Sequence, residues 1–446
     1  MATTFIRTGS ANTFDSAVRN ITSRQSALAS LQENLTSGKK VVRPSDDPTG
    51  AANAERALTR ISRIAADQRA LESQRNAITQ AEGTLGDVTT ALQRFRELVV
   101  NAGNGVNSSA ERRSIAIELQ GLRDEVFSMA NKKDTNGLPL FSALGSALAP
   151  FVGPQAAPPD YTFKGLPGQS ASTDVAIPFA MDGESTFMHQ PTRDLVFNAT
   201  VSNTVDGLIT TDRTLITNNI VLSDQPDLLT NRALVTATAT AAEALGTPYP
   251  SYTLTFGVVT PDPVNPLTGP STVTYTIAEN PTVSAGFPIS SAVISFTPGK
   301  STTIDVTEVP GLKFTITGTP KENDTVTIDT SPSVFSVLDD AIHDISNATN
   351  NNAAVQAVSQ ALHNIDISMG RISAIRGQAG DLLNRADRIA SNQESRSIQL
   401  ESDRSRAEDL DMIKGISDFN NQQTGYSAAL QTYAQIQKLS LFNFIS

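Results

Sequence analysis

The 446-residue sequence has no cysteine and no tryptophan, and only three histidines. Without cysteine there is no disulfide framework, no zinc finger and no thiol chemistry. His189, His343 and His363 are scattered, with no second ligand at metal-binding spacing. His343 and His363 fall in helical stretches and read as surface or seam residues. No run approaches 18 apolar residues, so no membrane-spanning helix is expected. The N-terminal "MATTFIRTGSANTFDSAVRN" lacks the apolar stretch of a cleaved secretory signal. A formal charge of −11 lends no support to nucleic-acid binding. These signals alone describe a soluble cytoplasmic protein, unless export reads a different signal.

Catalytic motifs are equally scarce. "TPGKST" at 297–302 contains Gly-Lys-Ser, but a phosphate loop needs glycine where Ile294 stands, in a strand-to-helix context. Here the context is β-turn-β. Neither Gly-x-Ser-x-Gly nor His-Glu-x-x-His occurs. The acidic pairs Asp46-Asp47, Asp339-Asp340 and Glu408-Asp409 read as helix caps and dipole complements rather than metal sites. The expectation is a chain that is not an enzyme, with no catalytic residue, cofactor or metal.

What is present is segregated. Of 23 prolines, 21 lie between Pro139 and Pro332, so only the flanks can form long helices. Residues 1–150 carry 18 basic and 15 acidic residues, 151–330 carry 7 and 17, and 331–446 carry 9 and 13. In the first flank Ile64, Leu71, Ile78, Leu85, Leu92 and Val99 recur every seventh residue. Ala81, Val88 and Phe95 fill a second seam position from there, giving a coiled-coil stripe. Phe14, Val18, Ile21, Leu28 and Leu35 hold the same register earlier, with Gln25 and Gln32 as polar members. A third helix is expected to start near Ser108–Ser109 and run to about Asn131.

The C-terminal flank mirrors the first. Val355, Val358, Leu362, Ile365, Met369 and Ile372 alternate three and four apart, and the pattern continues to Leu410, Leu430, Ala434, Leu441 and Phe444. Its later members include Gln393 and Arg396, so this seam is weak and depends on packing. Between the flanks, "YTLTFGVV", "TVTYTI", "AVISF", "TTIDVTEV", "LKFTITG" and "DTVTID" are alternating β-type runs. Residues 141–160 read as a linker leading into them.

The expected fold is α+β: a long antiparallel helical coiled-coil rod built from both chain ends, with a β-rich domain inserted in the middle. Its divisions are 1–44 and 401–446 as paired terminal helices, 45–145 and 333–400 as the rod, and 146–332 as the insert. The apolar C-terminus, with Tyr426, Leu430, Tyr433, Leu439, Leu441, Phe442 and Phe444, reads as a partner surface, since chain ends are ordinarily polar and frayed. Proteolysis of 1–40 and 400–446 is expected before assembly and protection after it.

"SGKKVVRPSDDP" at 37–48 reads as an elbow between two helices. Gly38 suits the left-handed position after the first helix. Lys39 and Lys40 suit its negative dipole end. Pro44 keeps Arg43 extended. Asp47 is the best cap of the next helix, with Pro48 as its first residue, although Ser45 or Asp46 could take the cap instead. Lys39, Lys40, Arg43, Asp46 and Asp47 are candidates for contacts between subunits.

"LTSGKKVVRPSDDPTGAANA", "TLGDVTTALQRFRELVVNAGNGVNSSAERRSIAIELQGLRDEVFSMANKKDTNGLPLF" and "YSAALQTYAQIQKLSLFNFIS" resemble the two ends of the flagellin superfamily. Pro-Ser-Asp-Asp-Pro and Leu-Ser-Leu-Phe resemble its hook-associated protein 3 (hook–filament junction) branch more than flagellin. "NGLPLF" departs from the Arg-Tyr-Leu-Phe usual after that Asn-Gly. The resemblance implies a structural adaptor between hook-associated protein 1 and the flagellin filament, self-associated in a ring. It also implies a flagellar export chaperone, type III export without a cleaved signal, and an extracellular place at the hook–filament junction. A divergent flagellin is the nearest alternative, and a soluble coiled-coil adhesin or ligand-binding enzyme a more distant one.

Overall fold

The computed structural model describes residues 10–156, 160–189, 191–194, 196–205, 208–209, 214–230, 251–266, 268–280 and 286–445. Long helices at both ends flank a β-rich centre. The helices include α1 (Ser10–Ser37), α2 (Pro48–Ala102), α3 (Ser109–Ala130), the short α4 (Gly183–Phe187) and α5 (Pro191–Asp194), α6 (Val334–Ser346), α7 (Asn351–Glu408) and α8 (Met412–Ile445). The chain divides into two compact units, Met1–Ala70 with Arg388–Ser446, and Leu71–Asp387.

In the larger unit the heptad stripe of α2 is a true core. Leu71, Ile78, Ala81, Leu85, Val88, Leu92, Phe95 and Val99 are all buried. On α7, Ile365, Ile372, Ile375 and Ala379 are buried as well. Arg96–Asp366 (2.9 Å) and Arg376–Glu82 (2.7 Å) bridge the two helices along their rims. Ser108 caps α3 in a reciprocal arrangement: its hydroxyl accepts from Glu111 N, and the Glu111 carboxylate accepts from Ser108 N.

Two sheets share one core in the insert. The larger has the antiparallel order 289–290, 275–280, 251–256, 324–330, 197–205 and 208–209. In the smaller, 312–318 lies between 302–306 and 216–217. Strict alternation turns Leu254, Phe256, Tyr275, Ile277, Val326 and Ile328 inward against Ile304, Val306, Phe314 and Ile316. Gly299, at φ +77°, makes the turn between strands 294–296 and 302–306, so the Gly-Lys-Ser motif is a β-turn.

Strand 197–203 bonds to 324–330 on one side, while its other edge meets α7. Gln356 Nε2 donates to Ala199 O (2.7 Å), and Asn364 Nδ2 donates to Phe197 O (3.0 Å). The Gln360 amide, with its oxygen toward Ala199 N, serves the same residue. Gln356 Oε1 also accepts from Thr217 N (3.1 Å). This row of amides every fourth residue satisfies backbone groups that an open sheet edge leaves unpaired. It also corrects the sequence-derived seam: Val355 is 50% exposed, while Gln356 beside it is buried. The helix face that meets the sheet edge has to be polar.

Residues 141–160 are not a plain linker. Phe141 and Phe151 are buried, and Phe151 packs edge-on against Phe187 and Phe335, with ring centroids 5.3 and 5.6 Å away. Phe127 of α3 joins through Phe335 at 5.2 Å. Nor does the pair Asp339-Asp340 cap a helix. Ser333 caps α6, and both acids lie inside that helix. Asp339 accepts from the Tyr161 hydroxyl (2.5 Å) and faces Arg123 Nε (3.1 Å). Burial first, and then the neighbouring Asp339, push the Tyr161 phenol up.

His189 is buried where the chain passes into and out of the β-rich part. Its backbone N–H donates to Pro332 O (2.8 Å), and its ring Nδ1 lies 3.2 Å from Ser331 O. His343 is exposed beside Asp344, and His363 is half-buried on α7.

Candidate assembly surface

In the smaller unit α1 packs along α8, and the elbow after α1 meets a second break in the chain. Gly38, at φ +70°, ends α1 in the left-handed region. Its carbonyl accepts from Leu410 N (2.9 Å), and Lys40 N donates to Glu408 O (2.8 Å). The two breaks are thus joined by backbone, with Lys39 opposite Asp409 in an antiparallel bridge.

Asp47 caps α2. Its Oδ1 accepts from Thr49 N (3.1 Å), Gly50 N (3.0 Å) and the Thr49 hydroxyl (2.7 Å). The Gly50 N–H first, then the Thr49 hydroxyl, hold its carboxyl below the ordinary aspartate range. Pro48 is the first helical residue, where its missing N–H is harmless. Asp46 turns back to accept from Arg43 N (2.8 Å), and the Arg43 guanidinium pairs with Glu33 (2.8 Å). Pro44 lies within this turn.

The lysines correct the sequence reading. Lys40 Nζ donates to Arg406 O (2.8 Å), and Lys39 pairs with Glu408. Both cations therefore serve the negative end of α7, not that of α1. The acidic pair Glu408-Asp409 closes a helix instead of opening one. Asp411 caps α8, accepting from Ile413 N and Lys414 N (3.1 Å each). This second break lies where the C-terminal seam was expected to run on through Leu410. A visible signal was the acid cluster 408–411, with its capping aspartate three residues before Lys414.

Among its described side chains the terminal pair has almost no interior. Val18 is 39% exposed and Leu430 41%; Ile21, Leu28, Leu35 and Tyr433 are half-buried. The side chains of Phe14, Leu439, Leu441, Phe442 and Phe444 lie outside the described residues. Met412, Ile413 and Ile416, which sequence reasoning passed over, are exposed too, Ile413 at 86%. Leu35 and Leu410 meet over Gly415, where a Cβ would stand 3.0 Å from Leu410. Between α1 and α8 lies an open groove of about 570 Å³, lined by Ala17, Ile21, Arg24, Gln422, Ala429 and Tyr433 among others. No helix among the described residues is long and apolar enough to cross a membrane, and no group of three metal-ligating side chains occurs among them.

Residues 11–145 match the bacterial flagellin N-terminal helical region, and 362–445 the bacterial flagellin C-terminal helical region. The chain is similar to flagellar hook-associated protein 3 of Salmonella typhimurium, 32% identical over 43% of this chain and 57% of that protein. It is also similar to flagellar hook-associated protein 3 of Escherichia coli, 35% identical over 30% of this chain and 42% of that one. It thus spans about half the length of these curated relatives. The flagellar junction protein FlgL of Legionella pneumophila shares the fold, with a TM-score of 0.53 and 21% identity over 75% of this chain and 98% of that structure.

Proposed function

We infer that this chain, flanked by flagellin-type helical regions and similar to flagellar hook-associated protein 3, is a structural adaptor at the hook–filament junction. Its terminal helices assemble with those of its neighbours. Copies associate in a ring, joining hook-associated protein 1 on the proximal side to flagellin on the distal side. The chain has no catalytic role. It reaches the exterior through the flagellar type III route, handed over by an export chaperone.

The observation that carries this reading is the contrast between the two units. The same heptad pattern is fully buried at Leu85 and Leu92 but exposed at Val18 and Leu430. A helix pair that leaves its apolar stripe in water gains its main stabilisation from a partner. In this reading 1–44 and 401–446 form the assembling ends, 45–145 and 333–400 support them, and 146–332 faces outward. The assembling surface comprises Phe14, Val18, Ile21, Leu28, Leu35, Leu430, Tyr433, Leu439, Leu441, Phe442 and Phe444.

Two measurements test it. A strain lacking the chain should carry hooks without attached filaments, and attached filaments there would sink the reading. Sheared filaments should contain far less of this chain than of the major subunit. Equal abundance would make it a filament subunit instead.

A further inference from the structure

The sequence holds two Asn-Gly pairs, Asn104-Gly105 and Asn136-Gly137, and all four residues are exposed. An asparagine followed by glycine can modify itself, because no side chain shields the glycine nitrogen from the amide carbon before it. Exposure does not separate the two pairs, but hydrogen bonding does.

Gly137 lies in a locked turn. Its N–H donates to Asp134 O (3.0 Å), and its φ is +81°. One oxygen of the Asp134 carboxylate accepts from Asn136 N and Leu138 N (2.8 Å each), and the other lies 3.4 Å from Asn136 Nδ2. Attack by the Gly137 nitrogen would break its hydrogen bond and build negative charge beside that carboxylate.

Asn104 sits in the turn between α2 and α3, in a stretch without charge from Asn101 to Ala110. Its Oδ1 accepts from Val106 N (3.2 Å), which folds the side chain over the following peptide. Its backbone oxygen accepts from Asn107 N (3.0 Å) and closes the turn. Among the described residues the Gly105 N–H and the Asn104 Nδ2 have no hydrogen-bond partner. Nucleophile and leaving group are both unrestrained, and the Val106 N–H polarises the carbonyl between them.

We propose that Asn104 is a self-modification site, at which the Gly105 nitrogen attacks Asn104 Cγ and the side-chain amide leaves as ammonia. The Gly105 N–H proton passes to solvent, the N–Cγ bond forms and the Cγ–Nδ2 bond breaks. The departing nitrogen takes a proton from solvent, and a cyclic imide remains. Water then opens the ring. Opening at Cγ gives aspartate, and opening at the main-chain carbonyl gives isoaspartate, which lengthens the backbone by a methylene. Nothing is oxidised or reduced. Either product sets a new carboxylate ahead of α3, whose Ser108–Glu111 cap lies just beyond. Arg112 lies there too, bonded to Asn107 O (2.7 Å) and Ala348 O (3.3 Å).

The test ages the purified full-length chain in heavy-oxygen water at mildly alkaline pH, folded and in urea, and maps its peptides by mass. In the folded chain the peptide holding Asn104 should gain heavy oxygen about tenfold faster than that holding Asn136, a ratio within reach of one retained hydrogen bond and a neighbouring charge. In urea the two rates should converge. Gly105→Ala should slow the reaction at Asn104 several-fold. A Cβ at that position stands 3.8 Å from Asn351 Nδ2, so the turn accepts it. Asp134→Ala should bring Asn136 toward the rate of Asn104. Equal rates at the two pairs in the folded chain, a slower Asn104, or no label at Asn104 would each overturn the proposal.

Discussion

Lys40 Nζ donates to the carbonyl of Arg406 at 2.8 Å, so a side chain from the first elbow closes the end of a helix 366 positions later. With Lys39–Glu408 and the two backbone bonds, this makes one double joint from two chain breaks. Replacing Lys40 by Met keeps the stem but removes the donor. Amide exchange at 408–411 should then accelerate, while exchange in the α2 stripe from Leu71 to Val99 stays unchanged. Equal acceleration in both places would show that the joint is not a local element.

Asp47 makes a second prediction. Its carboxyl is held below the ordinary aspartate range by the Gly50 N–H and the Thr49 hydroxyl. A depressed folded value stabilises fully above the unfolded value near 3.8, and that contribution is lost as pH falls through the folded value. Asp47→Ala should fray the first turn of α2, and its deficit against the parent should shrink in strong acid. Backbone exchange at Thr49 and Gly50 between neutral pH and pH 2 would report it; a deficit constant with pH would contradict the capping role.

His189 carries the opposite chemistry. Burial first lowers it to about 4, against the raising influence of Asp194 and Ser331 O. Between about 6.5 and 4 the unfolded chain binds the proton that the folded site refuses, so stability falls as pH falls through that window. Asp340 counters this. Burial raises it to about 7 despite the Ser331 hydroxyl, so it favours the folded state as pH falls from 7 toward 3.8. Asp340 is half-buried, and its carboxylate accepts from the Ser331 hydroxyl (2.6 Å). His189→Gln should therefore cost stability at pH 7.5 and cost less at pH 4.5, with thermal unfolding as the readout. A gap independent of pH would mean that the imidazole is solvated.

Truncations should separate core from surface. Leu85→Ala removes a fully buried seam residue and should cost about 2–5 kcal/mol in denaturant unfolding. Val18→Asp and Leu430→Asp fall on exposed positions and should leave unfolding of the larger unit unchanged while blocking incorporation into flagella. Phe442→Asp is expected to behave like them. Incorporation at parental levels would contradict an apolar assembling surface.

The amide row on α7 gives the last prediction. Asn364→Leu removes the donor to Phe197 O and leaves that buried carbonyl unpaired, at a cost of about 1–3 kcal/mol. Exchange along 197–203 should rise more than along 324–330. No difference between the strands would mean that the sheet edge is satisfied without the helix.

The sequence by itself determined the features that depend on neighbours along the chain. Seven-residue apolar spacing gave the α2 stripe, alternation gave the strands at 312–318 and 324–330, and Gly38, Asp47 and Pro48 marked the elbow. Each follows from backbone preferences that a few adjacent residues set. Only the tertiary structure decided which distant groups the polar side chains serve. Lys40 could have closed α1 by its position, yet it closes α7. Gln356, Gln360 and Asn364 resemble gaps in a seam until strand 197–203 lies beside them. Phe151 reads as linker until Phe187 and Phe335 surround it. A hydrogen bond or a packed ring is satisfied by any partner with the right geometry, so its identity is fixed by the fold that brings that partner near. The exposed stripe of the terminal pair is the same matter one level up. Its spacing is written in the sequence, but that Val18 and Leu430 stay exposed is a property of the folded chain.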